Sequence, residues 1–98
     1  MSLPVIMRPD ASKDAEQTRD DLEAQQTGLG QKFLDLLKET LSRISTMPKM
    51  YGVVWRNVRA ARLRRFRYIV YYRVYADRVE VLAVMHGNRD AADWLARV

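Results

Sequence analysis

The chain of 98 residues contains no cysteine, so neither a disulfide bond nor a thiolate metal site can stabilise it. It also lacks a long apolar run, because the longest ones, such as YIVYY and VLAVM, are far shorter than the ~20 residues that span a bilayer. The first residues turn polar too early to provide the apolar core of a signal peptide. These absences predict a soluble cytoplasmic protein without a membrane segment, and the length predicts one domain covering residues 1–98.

Charge is distributed unevenly between the two halves of the chain. Residues 1–48 carry 6 Lys or Arg and 8 Asp or Glu, whereas residues 49–98 carry 11 and 4, so their net charges are −2 and +7. Ten of the eleven positive residues in the second half are arginines, whose planar guanidinium forms bidentate hydrogen bonds and stacks on rings. This asymmetry indicates an acidic partner, either nucleic acid or an acidic protein segment.

The first half is predicted to form a short strand and two helices. Leu3–Met7 is apolar with Pro4 near its start, which is typical of an edge strand. Asp10 is the predicted N-cap of a first helix. The thin apolar stripe of that helix consists of Ala11, Ala15, Thr18 and Leu22. A second helix has a wider apolar face made of Phe33, Leu34, Leu37, Leu41 and Ile44. The segment 27–30 breaks the first helix and Pro48 ends the second, which predicts an antiparallel helical hairpin.

The second half is predicted to be mainly strands. The β-prone segments are Tyr51–Trp55, Asn57–Leu63, Arg65–Tyr75 and Arg78–His86, and a short helical piece with Trp94 follows. A two-residue loop at Ala76-Asp77 or a four-residue loop at Tyr75–Arg78 joins the last two strands, and both give the same pairing. The predicted pairing is Val74 with Val79, Arg73 with Glu80, Tyr71 with Leu82, and Arg67 with His86.

This register separates apolar from charged side chains. The predicted core face holds Phe66, Tyr68, Val70, Tyr72, Val74, Val79, Val81, Ala83 and Met85. The predicted opposite face holds Arg67, Ile69, Tyr71, Arg73, Glu80, Leu82, Val84 and His86. The expected architecture is therefore α+β, with an N-terminal short strand, a two-helix hairpin, and a small antiparallel sheet whose far face is charged.

The segment RRFRYIVYYRVYADRVEVLAVMHGNRDAADW resembles the C-terminal half of the RelE/ParE toxins of bacterial type II toxin–antitoxin systems. The matching positions are Phe66, Tyr68, Tyr72, Arg73, Val81, Leu82, Ala83, Val84, His86, Arg89, Asp90 and Trp94. The connection 47–52 is also similar, and the likeness is specific from about Arg56 to Trp94. Arg67 and Ala91 depart from it, since relatives often have proline there. The resemblance implies the same fold as the patterns above.

Within this family, the resemblance implies two kinds of target. RelE-like members cut messenger RNA on the ribosome, whereas ParE-like members inhibit DNA gyrase. RNA cleavage needs a base, an acid and cations around the phosphate. Here no tyrosine follows His86, which is the only histidine, and Lys49 is the only lysine in the second half. We therefore favour a non-catalytic, ParE-like toxin that inhibits gyrase, stabilises a plasmid and is neutralised by a cognate ParD-like antitoxin, with no cofactor or metal.

Two alternatives stay open. A RelE-like, ribosome-dependent mRNA endoribonuclease would use Arg67, Arg73, His86 and Arg89. A non-toxic module would keep antitoxin binding alone. The candidate partner-binding residues are Arg59, Arg62, Arg64, Arg65, Arg67, Arg73, His86, Arg89 and Trp94. Direct binding of nucleic acid is less favoured.

Each candidate also has a structural interpretation. The arginines would then form a solvated surface, and Arg73 would pair with Glu80 across the strands. His86 would be a hydrogen-bonded residue at a strand end. Trp94 would either cap the core from the tail or anchor a partner.

Overall fold

A computed structural model describes residues 2–98 and places two helices on one face of a five-stranded sheet. The elements are β1 (Val5–Met7), α1 (Pro9–Gln25), α2 (Leu29–Thr46), β2 (Val53–Trp55), β3 (Val58–Arg62), β4 (Tyr68–Val74), β5 (Val79–His86) and α3 (Ala92–Leu95). The strand order is β1-β5-β4-β3-β2. The predicted α+β architecture is confirmed, and we call the sheet side under α1 and α2 the hairpin face and the other side the second face.

The sheet is mixed rather than wholly antiparallel as predicted. β1 runs parallel to β5, with Val5 beside Val79 and Met7 beside Val81, while the other neighbouring strands pair in antiparallel fashion. Parallel neighbours need a long crossover connection. In this chain the crossover contains both helices and the other three strands, so nothing near β1 in the sequence reveals its partner.

Helix α1 begins one residue earlier than the predicted cap. Arg8 is the N-cap and Pro9 is the first helical residue, where the missing N–H of proline removes no helical hydrogen bond. Asp10 lies in the first turn instead, where its charge is favourable. The predicted apolar stripe is confirmed, because the buried residues of α1 are Ala11, Ala15, Thr18 and Leu22.

The turn between the helices requires glycine at two positions. Gly28 has a left-handed φ of 90°, and the carboxylate of Glu23 accepts hydrogen bonds from the backbone N–H groups of Gly28 and Gly30. A Cβ atom at Gly30 would lie 2.7 Å from the carbonyl oxygen of Arg19. The two helices therefore approach closely because this position has no side chain.

Helix α2 supplies the centre of the main core. Phe33 is fully buried and packs edge-to-face against the rings of Phe66 and Tyr68, with centroid distances of 6.0 and 5.4 Å. Leu37 and Ile44 are also buried, whereas the predicted core residues Leu34 and Leu41 are half-buried against the same cluster. The predicted apolar face is thus confirmed at its centre and partly exposed at its margins.

A β-bulge between β4 and β5 overturns part of the predicted register. Val74 pairs with Val79 and Arg73 with Glu80, as predicted. The pairing then shifts by one residue, so that Tyr71 lies opposite Ala83 and Tyr68 opposite His86. The predicted pairs Tyr71–Leu82 and Arg67–His86 are therefore wrong, because Leu82 is an extra residue in β5.

The bulge changes which side chains share a face beyond Leu82. Val84 packs in the hairpin-face core, whereas Ala83 and Met85 join the cluster on the second face. That second cluster consists of Val58, Tyr71, Leu82, Ala83, Met85 and Trp94. The prediction of a charged opposite face is therefore wrong for its centre, which is apolar and covered by α3.

Tyr72 provides a prediction about stability at high pH. The residue is fully buried, its hydroxyl donates to the carbonyl oxygen of Pro48 at 2.7 Å, and burial raises its pKa to about 12. The native state keeps this proton up to about pH 12, whereas the unfolded chain loses it near pH 10. The stabilisation is therefore complete below pH 10 and lost as the pH rises through 12. We expect a loss of about 2 kcal/mol between pH 9 and 11.5, measured by urea unfolding.

The matched variant is Tyr72→Phe. It should be less stable at pH 8 by about 1 kcal/mol because the hydrogen bond is absent. It should then show a much shallower decline with pH, to which Tyr71 still contributes because burial also raises the pKa of that phenol. An unchanged slope in Tyr72→Phe would show that Tyr72 is not the group responsible.

Candidate interaction surfaces

The predicted partner-binding residues do not form one surface. Arg64 and Arg65 lie in the connection between β3 and β4, beside α2. Arg62 and Arg89 line a groove on the second face. Arg67 is exposed and directly precedes β4. The remaining four candidates have structural contacts, which are described next.

Arg59 and Arg73 are engaged by groups of the chain itself. Arg59 donates to the carbonyl oxygens of Tyr51 and Lys49, at 2.7 and 3.3 Å. Arg73 donates to the side-chain oxygen of Asn57 at 3.0 Å. Both guanidinium groups therefore bind the segments that flank β2 in the chain.

The predicted ion pair between Arg73 and Glu80 is wrong, although the two residues are opposite each other in the register. Glu80 instead accepts hydrogen bonds from Arg78 at 2.6 Å and from Arg8 at 2.9 Å. These two contacts lower the pKa of the Glu80 carboxyl group. Glu80 therefore joins the end of β1 to the β4–β5 turn.

Trp94 packs into the core. Its ring stacks on that of Tyr71 with a centroid distance of 4.6 Å and an interplanar angle of 17°, and the residue is only 5% exposed. Two roles were predicted for Trp94, and this burial agrees with the role of a cap on the core. The stacked pair closes the apolar centre of the second face.

His86 lies on the hairpin face and not, as predicted, on the second face with Arg67 and Arg73. Its ring packs edge-on against Tyr68 at 5.3 Å, and its Nδ1 atom accepts the backbone N–H of Asn88 at 3.1 Å. His86, Tyr68 and Arg89 line a cleft of about 150 Å³ beside α1. The bulge is the reason for this position, since it moves the end of β5 to the other face.

The four residues of the predicted ribonuclease site are therefore not assembled. The cleft brings His86 and Arg89 together, while Arg73 lies elsewhere in contact with Asn57. Arg89 is itself paired with Asp93 at 2.9 Å. Arg67 lies opposite Gly87, whose N–H donates to its carbonyl oxygen at 2.6 Å.

Two open grooves provide room for a ligand. The second-face groove has a volume of about 310 Å³ and is lined by Val54, Ala60, Arg62, Ile69, Tyr71, Arg89, Ala91 and Trp94. The other groove, which we call the α2 groove, has a volume of about 410 Å³. It is lined by Leu29, Lys32, Asp35, Leu36, Arg64, Arg65 and Phe66. Arg64 and Arg65 were predicted to bind a partner, whereas Lys32 was not, because it is distant from them in sequence.

The free side of β2 forms an apolar edge patch. Val53 and Val54 are 48% and 51% exposed, and Met47 and Met50 beside them are 56% and 50% exposed. Scattered exposed apolar residues are common, but four within residues 47–54, two of them in the edge strand β2, form a surface suited to protein contacts.

An ion pair that was not predicted from the sequence holds the C-terminal tail against α1. Arg97 donates to both carboxylate oxygens of Asp14, at 2.5 and 3.2 Å, and to the carbonyl oxygen of Leu82 at 3.2 Å. The same carboxylate accepts the N–H of Val84 at 3.0 Å. These contacts provide hydrogen-bond partners for the carbonyl oxygen of Leu82 and the N–H of Val84 at the bulge. β1 cannot do so, because it pairs with β5 only as far as Val81. No local signal marks them, because the two charged residues are at opposite ends of the chain.

Two further features bear on function. Among residues 2–98, no group of three or more His, Cys, Asp or Glu side chains is placed to hold a metal ion. Within the same described range, every helix is too short or too polar to cross a membrane.

Comparisons with known proteins agree with this geometry. The profile of a family described as "ParE toxin of type II toxin-antitoxin system, parDE" matches residues 5–91. A solved structure titled "Chromosomal ParDE TA system from P. aeruginosa" is similar with a TM-score of 0.65 at 13% sequence identity, over 87% of this chain and 96% of that one. At this identity the similarity shows the fold. No curated protein matches the chain in sequence. Because the family profile covers most of the chain, the protein belongs to the ParE toxin family of type II toxin–antitoxin systems.

Proposed function

We propose that this toxin inhibits DNA gyrase in the cytoplasm and is neutralised by a cognate antitoxin of the ParD kind. The family match over residues 5–91 supports the toxin role, and the similar solved structure is described as a ParDE system. A toxin and antitoxin pair of this type would stabilise the plasmid or chromosomal segment that encodes it. The choice of gyrase over messenger RNA depends on the arrangement of the arginines and the histidine.

The observation that carries this choice is the separation of Arg73 from His86. A ribonuclease needs its acid, its base and its phosphate-binding cations within hydrogen-bond reach of one phosphodiester. Here His86 lies in the hairpin-face cleft, while Arg73 is bound to Asn57. This separation favours a protein that acts by binding.

The distribution of charge also supports a binding role. The second half of the chain has a net charge of +7, and Arg62, Arg65 and Arg67 are exposed with no ion-pair partner among residues 2–98. A positive surface of this kind accelerates encounter with an acidic protein more than it tightens the final complex.

A ribosome-dependent ribonuclease is the second candidate, because one observation favours it. The small cleft places the ring of Tyr68 against that of His86, and Arg89 lines the same cleft. Histidine, tyrosine and arginine side chains are suited to proton transfer and phosphate stabilisation. Here Arg89, not Arg73, would supply the cation.

The two candidates are separated by parallel assays on purified protein. We expect inhibition of gyrase supercoiling, intact messenger RNA on ribosomes, and relief of gyrase inhibition when the antitoxin is added. His86→Ala should inhibit gyrase as well as the wild type does. Ribosome-stimulated cleavage that disappears in His86→Ala would instead establish the ribonuclease. Normal growth during induced expression, with neither activity in vitro, would identify a non-toxic module.

A further inference from the structure

The α2 groove has an apolar floor that is continuous with the core. Leu29, Leu36 and Phe66 line it and are all half-buried, so each presents part of its apolar surface to solvent. On its core side, the ring of Phe66 packs against the buried ring of Phe33. The floor is therefore held by the main core rather than by a loose loop, and a side chain entering it would meet a preformed surface.

The rim of this groove is positively charged. Lys32, Arg64 and Arg65 contribute three cations, against one carboxylate from Asp35. Lys32 and Arg65 are exposed and have no ion-pair partner among residues 2–98. Arg64 contacts Glu39 at 3.3 Å, but its side chain remains 63% exposed. The unpaired cations indicate an occupant that carries carboxylates.

The shape of the groove favours a peptide over a nucleic acid. A volume of about 410 Å³ accommodates one or two large side chains, and the groove is open to solvent along the surface of α2. An apolar floor contributes little to binding a phosphate backbone, whereas a buried apolar anchor with charged neighbours is typical of peptide recognition. The second-face groove differs, because the chain's own Trp94 already covers part of it.

We propose that the α2 groove binds an acidic segment of the antitoxin, with one apolar side chain on the floor and at least two carboxylates near Lys32 and Arg65. This inference rests on the proposed function, since it takes the antitoxin as the occupant. It separates the predicted arginine cluster into two parts. Arg65 belongs to the antitoxin site, while Arg62 and Arg67 lie outside it.

The test compares two double charge reversals with the same effect on net charge. Lys32→Glu with Arg65→Glu alters the groove rim, and Arg62→Glu with Arg67→Glu alters exposed arginines outside it. All four side chains lie on the surface, so both variants should fold, and thermal unfolding checks this. Binding to the antitoxin encoded by the neighbouring gene is measured by calorimetry at physiological salt. We expect the groove variant to bind at least about 10-fold more weakly, and the control within about 3-fold of the wild type.

The outcomes separate this inference from the proposed function. Equal weakening of antitoxin binding in both variants would show that binding depends only on the overall electrostatic field of the toxin. That result would overturn the groove assignment. Stronger weakening in the control would move the antitoxin site to the other arginines, while the toxin–antitoxin relationship would stand. Failure of the wild-type protein to bind the antitoxin at all would overturn both proposals. Concentration-dependent self-association that the groove variant abolishes would identify a second copy of this chain as the occupant instead.

Discussion

Phe33→Ala is expected to lower the free energy of unfolding by about 3–5 kcal/mol, the largest single effect in this chain. The side chain is fully buried and touches the rings of Phe66 and Tyr68. Its removal leaves a cavity between α2 and the sheet. A domain of this size has only about 5–15 kcal/mol of stability in total. Urea unfolding monitored by circular dichroism measures the loss.

The control for this prediction is Leu34→Ala. Leu34 is the next residue on the same helix and is half-buried at the margin of the core. Its substitution removes less buried apolar area, so we expect a clearly smaller loss, of about 1–2 kcal/mol. Equal losses for the two variants would contradict the placement of Phe33 at the centre of the core.

Asp14→Ala is expected to destabilise the protein by about 2–3 kcal/mol, although the residue is charged and belongs to a polar helix. The carboxylate holds Arg97 and the N–H of Val84, and both would lose their partner in a region where the Asp14 and Arg97 side chains are 17% and 23% exposed. The melting temperature should fall by roughly 10–20 °C, as expected for a domain of about 100 residues. Differential scanning calorimetry measures the change.

A double-mutant cycle tests the coupling between these two residues. Arg97→Ala should cost a similar amount, and the double variant should cost much less than the sum of the two single changes. Asp20→Ala is the matched control on the same helix, because that side chain is 65% exposed and should change stability by less than about 0.5 kcal/mol. Additive losses at positions 14 and 97 would show that the ion pair does not act as a unit.

The position of His86 illustrates why part of the candidate site could not be predicted. Strict alternation along β5 assigned His86 to the same face as Arg67 and Arg73. The bulge at Leu82 reverses that assignment and places the ring beside Tyr68. A bulge has no reliable signature in a run of apolar residues such as VEVLAVMH. Its backbone groups are satisfied by Asp14 and Arg97, which are distant in the sequence.

The α2 groove could also be predicted only in part from the sequence. Arg64 and Arg65 were recognisable as part of a dense arginine cluster, but the cluster alone does not identify what lies beneath it. Lys32 and Leu36 reach the same groove only because α2 packs beside the β3–β4 connection. The apolar floor that distinguishes this groove from a solvated surface is therefore a product of packing.

The sequence by itself determined the type and order of the elements, the buried stripes of both helices and the family resemblance. These features depend on the spacing of nearby residues, which the chain displays directly. Only the tertiary structure decided that β1 is parallel to β5, that β5 contains a bulge, and which cations share a groove. Each of these depends on hydrogen bonds or packing between segments that are distant in the sequence, and a local pattern contains no information about such contacts.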